Sequence, residues 1–405
     1  MILFGCWNQG LCNTTTHAVS HNGMSAVMKT LKSNTTKSPP DFIVVLGDNY
    51  YPKKEKINGM KKKLFNKDEL KSGFDCLKEL ETKSIDDKAG INLLMGNHDL
   101  QEENGIVTNN DVIQDECIIT QTEMEMVNNN KIDTQSYGRL LGEHTICLFI
   151  CSTLYTEKAD EIVKCMGIYR PEYVKKDLEY IIEREHTNIT TELNRLLLEL
   201  LPGTLKNLII CGHEPIVSRR YKKPKNVKTT LNEYGIRLLK ELYTKAGEIN
   251  QNVSKYYICA DVHQYQKGIV KIIIRPGVQH SIKQFVVGVG GTECDETCIS
   301  DQILPDKDIY SGLRKLEDIN GKISYKMEDC KREFGYLSCK DNNGELICDF
   351  VRVAGCDDFP LKLIKTKKFS VLVQTGGGKK KRKTKKNKKR KTKKKRKTKK
   401  SKKRK

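Results

Sequence analysis

The feature that most constrains this chain is a repeated pairing: a short apolar run, then a turn rich in glycine and polar side chains. The runs span residues 1–4, 42–46, 91–95, 145–151, 208–211, 256–259, 269–274 and 285–289. Apolar runs this short, bounded by turn residues, predict strands buried on both faces. Helical periodicity lies between them, in Leu70, Phe74 and Leu77, in Tyr173, Leu178 and Ile181 after Pro171, and in Leu231, Leu238, Leu239 and Leu242. Strands alternating with amphipathic helices predict an α/β layered domain. Residues 334–340 and 345–353 alternate instead, around Asp341, Asn342, Asn343 and Gly344. An Asn-Gly pair there predicts an antiparallel hairpin. Residues 101–136 and 294–329 are polar and weakly periodic, and are expected to be surface loops or insertions.

Charge divides the chain. Its formal net charge is +22, with 73 Lys and Arg against 51 Asp and Glu. Residues 379–405 hold 22 of those basic residues and no acid, so the remainder carries 51 of each sign. The expected organisation is one domain over 1–373, a glycine-rich linker at 374–378 and a disordered Lys/Arg-rich tail at 379–405. No apolar run approaches the roughly 18–20 residues needed to span a bilayer, which excludes a transmembrane protein. The first residues lack the basic and long apolar parts of a secretory signal. The fifteen cysteines are irregularly spaced, with no C-x-x-C pair. They are expected as reduced, mostly buried thiols, Cys147 and Cys151 on one strand face and Cys294 and Cys298 flanking a polar loop, in an intracellular protein, cytoplasmic or nuclear or virion-associated.

In open α/β sheets ligands bind at the carboxyl ends of strands. The residues there are Gly5, Cys6, Trp7 and Asn8; Gly47, Asp48, Asn49, Tyr50 and Tyr51; Gly96, Asn97, His98 and Asp99; Gly212, His213, Glu214 and Pro215; and Ala260, Asp261, Val262 and His263. Singly, each fits an ordinary turn or a core histidine. Together they offer carboxylate, phenol, amide, imidazole and thiol to one place, a set suited to a pair of cations bridged by a carboxylate such as Asp48.

With these blocks in this order, residues 1 to about 291 resemble the calcineurin-like metallophosphoesterases, most closely their purple acid phosphatase branch, the tartrate-resistant type included. The specific blocks are Gly47 to Tyr51, Gly96 to Asp99 and Gly212 to Pro215, with Val287 to Gly291 similar to the family's late glycine-rich strand end. The resemblance implies a layered β-sandwich flanked by helices (αββα), and hydrolysis of a phosphate ester through attack by a metal-held hydroxide. Asp48 would bridge two ions, iron paired with iron, zinc or manganese. Tyr51 and His263 would bind the first, typically ferric, ion; Asn97 and His213 would bind the second; His98, oriented by Asp99, would serve the leaving oxygen. Trp7 would pack beside the metals.

Three positions depart from the family. Cys6 stands where it has an aspartate ligand, Asp261 where it has a histidine, and Asn8 where many members carry another histidine. Cys6, Asn8 and Asp261 all remain candidate ligands. A thiolate is softer than a carboxylate and favours zinc or ferrous iron, whereas Asp261 hardens the second position. Arg219 and Arg220 follow the Gly212 block and are candidates for gripping a phosphate, or belong to a solvated basic loop. His17, His21, His144, His186 and His280 are expected in structural or surface roles.

The tail would bind nucleic acid or any other polyanion with strong salt dependence. Lacking aromatic residues, it is unsuited to reading sequence. Lys-rich ends on Asn- and Lys-rich chains resemble those of large DNA viruses. The alternative reading is a catalytically weak or inactive phosphoesterase-fold protein that binds polyanions through this tail. Substrate and oligomeric state stay open at this level.

Overall fold

The strands at residues 2–4, 43–46, 91–94, 145–149 and 207–211 bury both of their faces, which is why these apolar runs do not alternate. The computed structural model describes residues 1–12, 23–57, 60–83, 90–101, 106–108, 111–113, 117–219, 227–292, 294 and 323–356. The expected linker and tail, Arg220, His17, His21 and Cys298 lie outside these residues.

Along the chain come β1 (Ile2–Phe4), α1 (Gly23–Lys37), β2 (Ile43–Leu46), β3 (Lys53–Ile57), β4 (Met60–Leu64), α2 (Lys67–Lys78), β5 (Ile91–Leu94) and α3 (Asn97–Leu100). Then follow β6 (Ile106–Thr108), β7 (Asp111–Ile113), α4 (Ile118–Asn130), β8 (Gly138–Leu141), β9 (Thr145–Phe149), α5 (Val163–Tyr169), α6 (Leu178–Glu199) and β10 (Asn207–Cys211). The remainder is β11 (Val217–Arg219), β12 (Val227–Thr229), α7 (Glu233–Ile249), β13 (Ser254–Cys259), β14 (Tyr265–Arg275), β15 (Val278–Val287), β16 (Ile323–Lys331), β17 (Glu333–Asn342) and β18 (Glu345–Gly355).

Two mixed sheets dominate. One has the order β18-β17-β1-β2-β5, the other β16-β14-β15-β13-β10-β9-β8. In the first, β1, β2 and β5 run parallel; in the second, β9, β10, β13 and β15 do. Successive residues of these strands enter two different cores. Leu3, Val44, Leu46, Cys147, Phe149, Ile209, Cys211, Tyr256 and Ile258 meet between the sheets. Ile2, Phe4, Ile43, Val45, Ile146, Leu148, Leu208 and Ile210 face outward, in the core that also takes the apolar faces of α1, α2, α6 and α7. The chain is therefore mixed α/β, with seven α-helices among the described residues. No helix among those residues is long and apolar enough to cross a membrane.

The hairpin β17–β18 forms as expected, with Asn343 and Gly344 both at positive φ (53° and 89°) at its turn. Helices α2 and α7 start where asparagines cap them: Asn66 accepts from the amides of Asp68 and Glu69, and Asn232 from those of Tyr234 and Gly235.

Several expectations are corrected. Residues 101–136 hold α4, which buries Ile119, Met126 and Val127 but also Thr120, Thr122 and Glu123, so no clean apolar stripe marks it. The stretch 294–329 ends in β16, which begins at Ile323. Residues 269–274 are not buried on both faces: in β14, Val270 and Ile272 are buried while Lys271 and Ile273 are exposed. Tyr173 sits in a 3₁₀ turn, its hydroxyl donating to Glu185 Oε1 at 2.6 Å, and α6 begins only after Asp177 accepts from Tyr180 N.

The cysteines differ most. Disulfides join Cys12 to Cys76, Cys117 to Cys165, Cys294 to Cys356 and Cys339 to Cys348. The first three link residues 64, 48 and 62 apart, so the pairing follows the fold and leaves no trace in local spacing. Cys339 and Cys348 lie directly opposite across β17 and β18. Cys6, Cys147, Cys151, Cys211 and Cys259 form no disulfide and are buried, as expected of small core residues. Cys147 and Cys151 do not share a face, however: β9 ends between them, and they enter different cores.

Candidate metal centre

The parallel strands β1, β2, β5, β10 and β13 end at one edge of the two sheets, and their turns converge. Close approach depends on glycine. A Cβ on Gly47 would lie 2.7 Å from both His213 Nδ1 and Gly96 N, and one on Gly96 would lie 2.8 Å from His213 Cε1. Backbone bonds hold the turns together: Cys6 N donates to Gly47 O at 3.0 Å, Gly5 N to Val287 O at 3.1 Å and Gly290 N to Gly5 O at 3.0 Å. Cys6, Asp48 and Asp261 adopt left-handed backbone, with φ of 52°, 53° and 52°. Such strain at three strand ends of one locus is characteristic of functional sites.

Asp48 is the hub. Its carboxylate accepts from Tyr51 Oη at 2.5 Å and from His98 N at 3.0 Å, and Oδ1 lies 3.2 Å from His213 Nε2. Tyr51 Oη is also 3.0 Å from His263 Nε2. Cys6 Sγ, an Asp48 oxygen and a His263 nitrogen all lie within 4.8 Å of one another. Burial alone would raise the Asp48 carboxyl, but His213 and His98 outweigh it and hold the group well below the carboxylate range. Burial opposes charge on His213 as well, and there Asp48 prevails and raises the imidazole.

His213 supplies the test of whether a cation fits. Its Nδ1 is 2.7 Å from Leu46 O, a pure acceptor, so Nδ1 carries the hydrogen. The fully buried Nε2 has no hydrogen-bond partner and faces a carboxylate oxygen. Two acceptors in that position need a cation between them, a proton or a metal ion. Fixing one imidazole nitrogen by a carbonyl while the other faces the centre is the usual arrangement of a histidine ligand. The loop beneath is held by Ser152, whose Oγ accepts from His213 N and Glu214 N, at 2.7 and 2.8 Å, and donates to Glu214 Oε2.

Asn97 opens α3 on the same turn and is half-buried, as is Asp261. Asp261 is near enough to help raise the His213 imidazole. Asn8 is not brought to the centre. Its side chain packs on α2, Nδ2 donating to Leu70 O at 3.1 Å, because Gly73 leaves room for it there. Asp99 does not orient the His98 ring through its observed bonds. It accepts from Asn49 N (2.7 Å), Asn49 Nδ2 (2.8 Å) and Gly96 N (2.7 Å), and so ties the β2 and β5 turns together. Trp7 donates to Asn49 Oδ1 and packs against Phe4 and Phe74, joining this network. Arg219 ends β11. His144, His186 and His280 bond to Thr204, Glu241 and Thr244, consistent with structural roles.

Glu123, which belongs to the same locus, carries no signal in the sequence because α4 reads there as a polar loop. Its carboxyl is fully buried and lies beside Asp99. Burial, then Asp99, pushes it well above the ordinary range; burial and Asp48 also raise Asp99, to about 7, against the pull of its three N–H donors. A buried acid that stays protonated when folded but ionises when unfolded makes stability fall as pH rises above its unfolded pKa. Glu123→Gln removes the Glu123 part of that dependence and leaves the smaller part from Asp99. Its stability curve between about pH 5 and about pH 8 is expected to be flatter than that of the wild type, the gain appearing at the alkaline end. Denaturant titrations across this range check it, and parallel curves would contradict it.

No protein-family model matches the chain, and no curated protein matches it.

Proposed function

We propose that the chain is a metal-dependent phosphoester hydrolase of the calcineurin-like, αββα type. The observation that carries this reading is Asp48, buried at the meeting point of strand ends from both sheets and touched there by Tyr51, His98 and His213, with Cys6 and His263 beside it. Asp48, Cys6, Tyr51 and His263 would hold one ion, and Asp48, Asn97, His213 and Asp261 a second. Bound there, such ions supply Lewis acidity and bring the pKa of a water towards about 7.

The chain's own residues do the rest. The Asp48 carboxylate fixes the His98 amide, and Asp99 fixes the turn from which His98 projects. The half-buried His98 imidazole then protonates the departing alkoxide as general acid. The buried second layer of Glu214, Ser152 and Asp99 keeps His213 and the β5 turn from rearranging as charge develops on the phosphate.

The test is hydrolysis of para-nitrophenyl phosphate and bis-para-nitrophenyl phosphate after chelation and re-addition of zinc, manganese or iron. Turnover restored with about two ions per chain is expected for a dinuclear site. A fully active chelated protein, or none active with any ion, contradicts it. The second outcome would favour the alternative of an inactive phosphoesterase fold that binds polyanions, a reading supported by Asn8 turning towards α2. For the tail, the expected result is nucleic-acid binding that weakens steeply with salt and is lost on truncation after Gly378, with ester hydrolysis retained. Binding that survives truncation would assign it to the folded part.

A further inference from the structure

We propose that Cys6, Asp48 and His263 form a thiolate-bearing site selective for a divalent, thiophilic ion of the zinc type. The inference rests on the hydrolase reading only for the reaction such an ion would serve. The resemblance alone points elsewhere, to a hard ferric ion beside a phenolate.

Sulfur, carboxylate oxygen and imidazole nitrogen lie within 4.8 Å of one another, the only such group of three among the described residues. This mixture matches the donors of zinc and cobalt(II), whereas a hard trivalent ion prefers an all-oxygen or oxygen-rich shell. One thiolate and one carboxylate also balance a divalent charge, which matters where Cys6 and Asp48 are both buried. Tyr51, whose hydroxyl donates to Asp48 Oδ2 at 2.5 Å, adds a fourth, oxygen donor at the edge of this group.

Two further observations support a ligand at this place. His213 Nε2 is fully buried, has no hydrogen-bond partner and is aimed at Asp48 Oδ1. The Cys6 backbone is held from both sides, its N–H donating to Gly47 O and its carbonyl accepting from Thr292 N at 3.2 Å, so the position from which the thiol projects is fixed by bonds that need no ion. The other buried thiols outside disulfides, Cys147, Cys151, Cys211 and Cys259, belong to no such group among the described residues.

The experiment is cobalt(II) titration of the full chain after chelation, followed by absorption. The expected result is an intense thiolate-to-cobalt charge-transfer band that saturates with bound cobalt and is displaced by zinc. It is lost in Cys6→Ser and kept in Cys211→Ser. Cobalt bound without the band, a band surviving in Cys6→Ser, or no bound cobalt would each overturn the proposal. Should Cys6→Ser fail to fold, zinc-edge X-ray absorption of the wild type decides, through a sulfur shell at about 2.3 Å or its absence. The two readings fail separately. A thiolate band without hydrolysis removes the phosphoesterase, and hydrolysis by an ion without a sulfur neighbour removes this site.

Discussion

Asp48→Asn is expected to fold, to lose most bound metal and to lower phosphoester hydrolysis by about 10³-fold or more. Asparagine keeps the volume, but its single amide oxygen can replace only one of the two carboxylate oxygens that accept from Tyr51 and His98, and it lacks the charge that faces His213 and would bridge two ions. Asp48→Ala should go further. It strips the acceptor from His98 N and one of the two partners from Tyr51 Oη around a buried carboxylate, and an orphaned polar group costs about 1–3 kcal/mol. Elemental analysis, turnover and denaturant midpoint separate the two variants. Undiminished metal content and activity in Asp48→Asn would remove Asp48 from the centre of the site.

The second large effect concerns the bridges. Opening Cys12–Cys76 by paired serine substitution is expected to cost about 4 kcal/mol, because the link closes a loop of more than sixty residues. The damage should reach the site. This bridge ties the segment after β1 to α2, where Trp7 packs on Phe74 and Asn8 bonds to Leu70. Metal affinity should therefore fall together with stability. Thiol titration of unfolded, unreduced protein should find far fewer reactive groups than the fifteen cysteines present. Fifteen reactive thiols, and a serine variant as stable as the wild type, would restore the expectation of reduced cysteines.

The two-sided strands were legible because burial on both faces leaves an unbroken apolar run, and their ends were legible because a sheet places its ligands there. Asp48, Tyr51, His213 and His263 do meet, as their positions after β2, β10 and β13 implied. What stayed hidden depends on distant partners. Helix α4 buries threonines and Glu123 against the β5 turn, so its sequence reads as polar loop. Asn8 turns aside because of Gly73, sixty-five positions away. Asp99 serves the backbone of Asn49 and Gly96 in preference to the adjacent ring, a choice set by how two turns approach. The three long-range cysteine pairs are invisible for the same reason, whereas Cys339 and Cys348 face each other across the hairpin.

The most direct test of the central claim is anomalous diffraction from crystals of the full chain grown with zinc. A peak within bonding distance of Cys6 Sγ, Asp48 and His263, with a second between Asp48 and His213, is the expected result. Zinc bound only at other positions, with Asp48 and His213 still in direct contact, would contradict it.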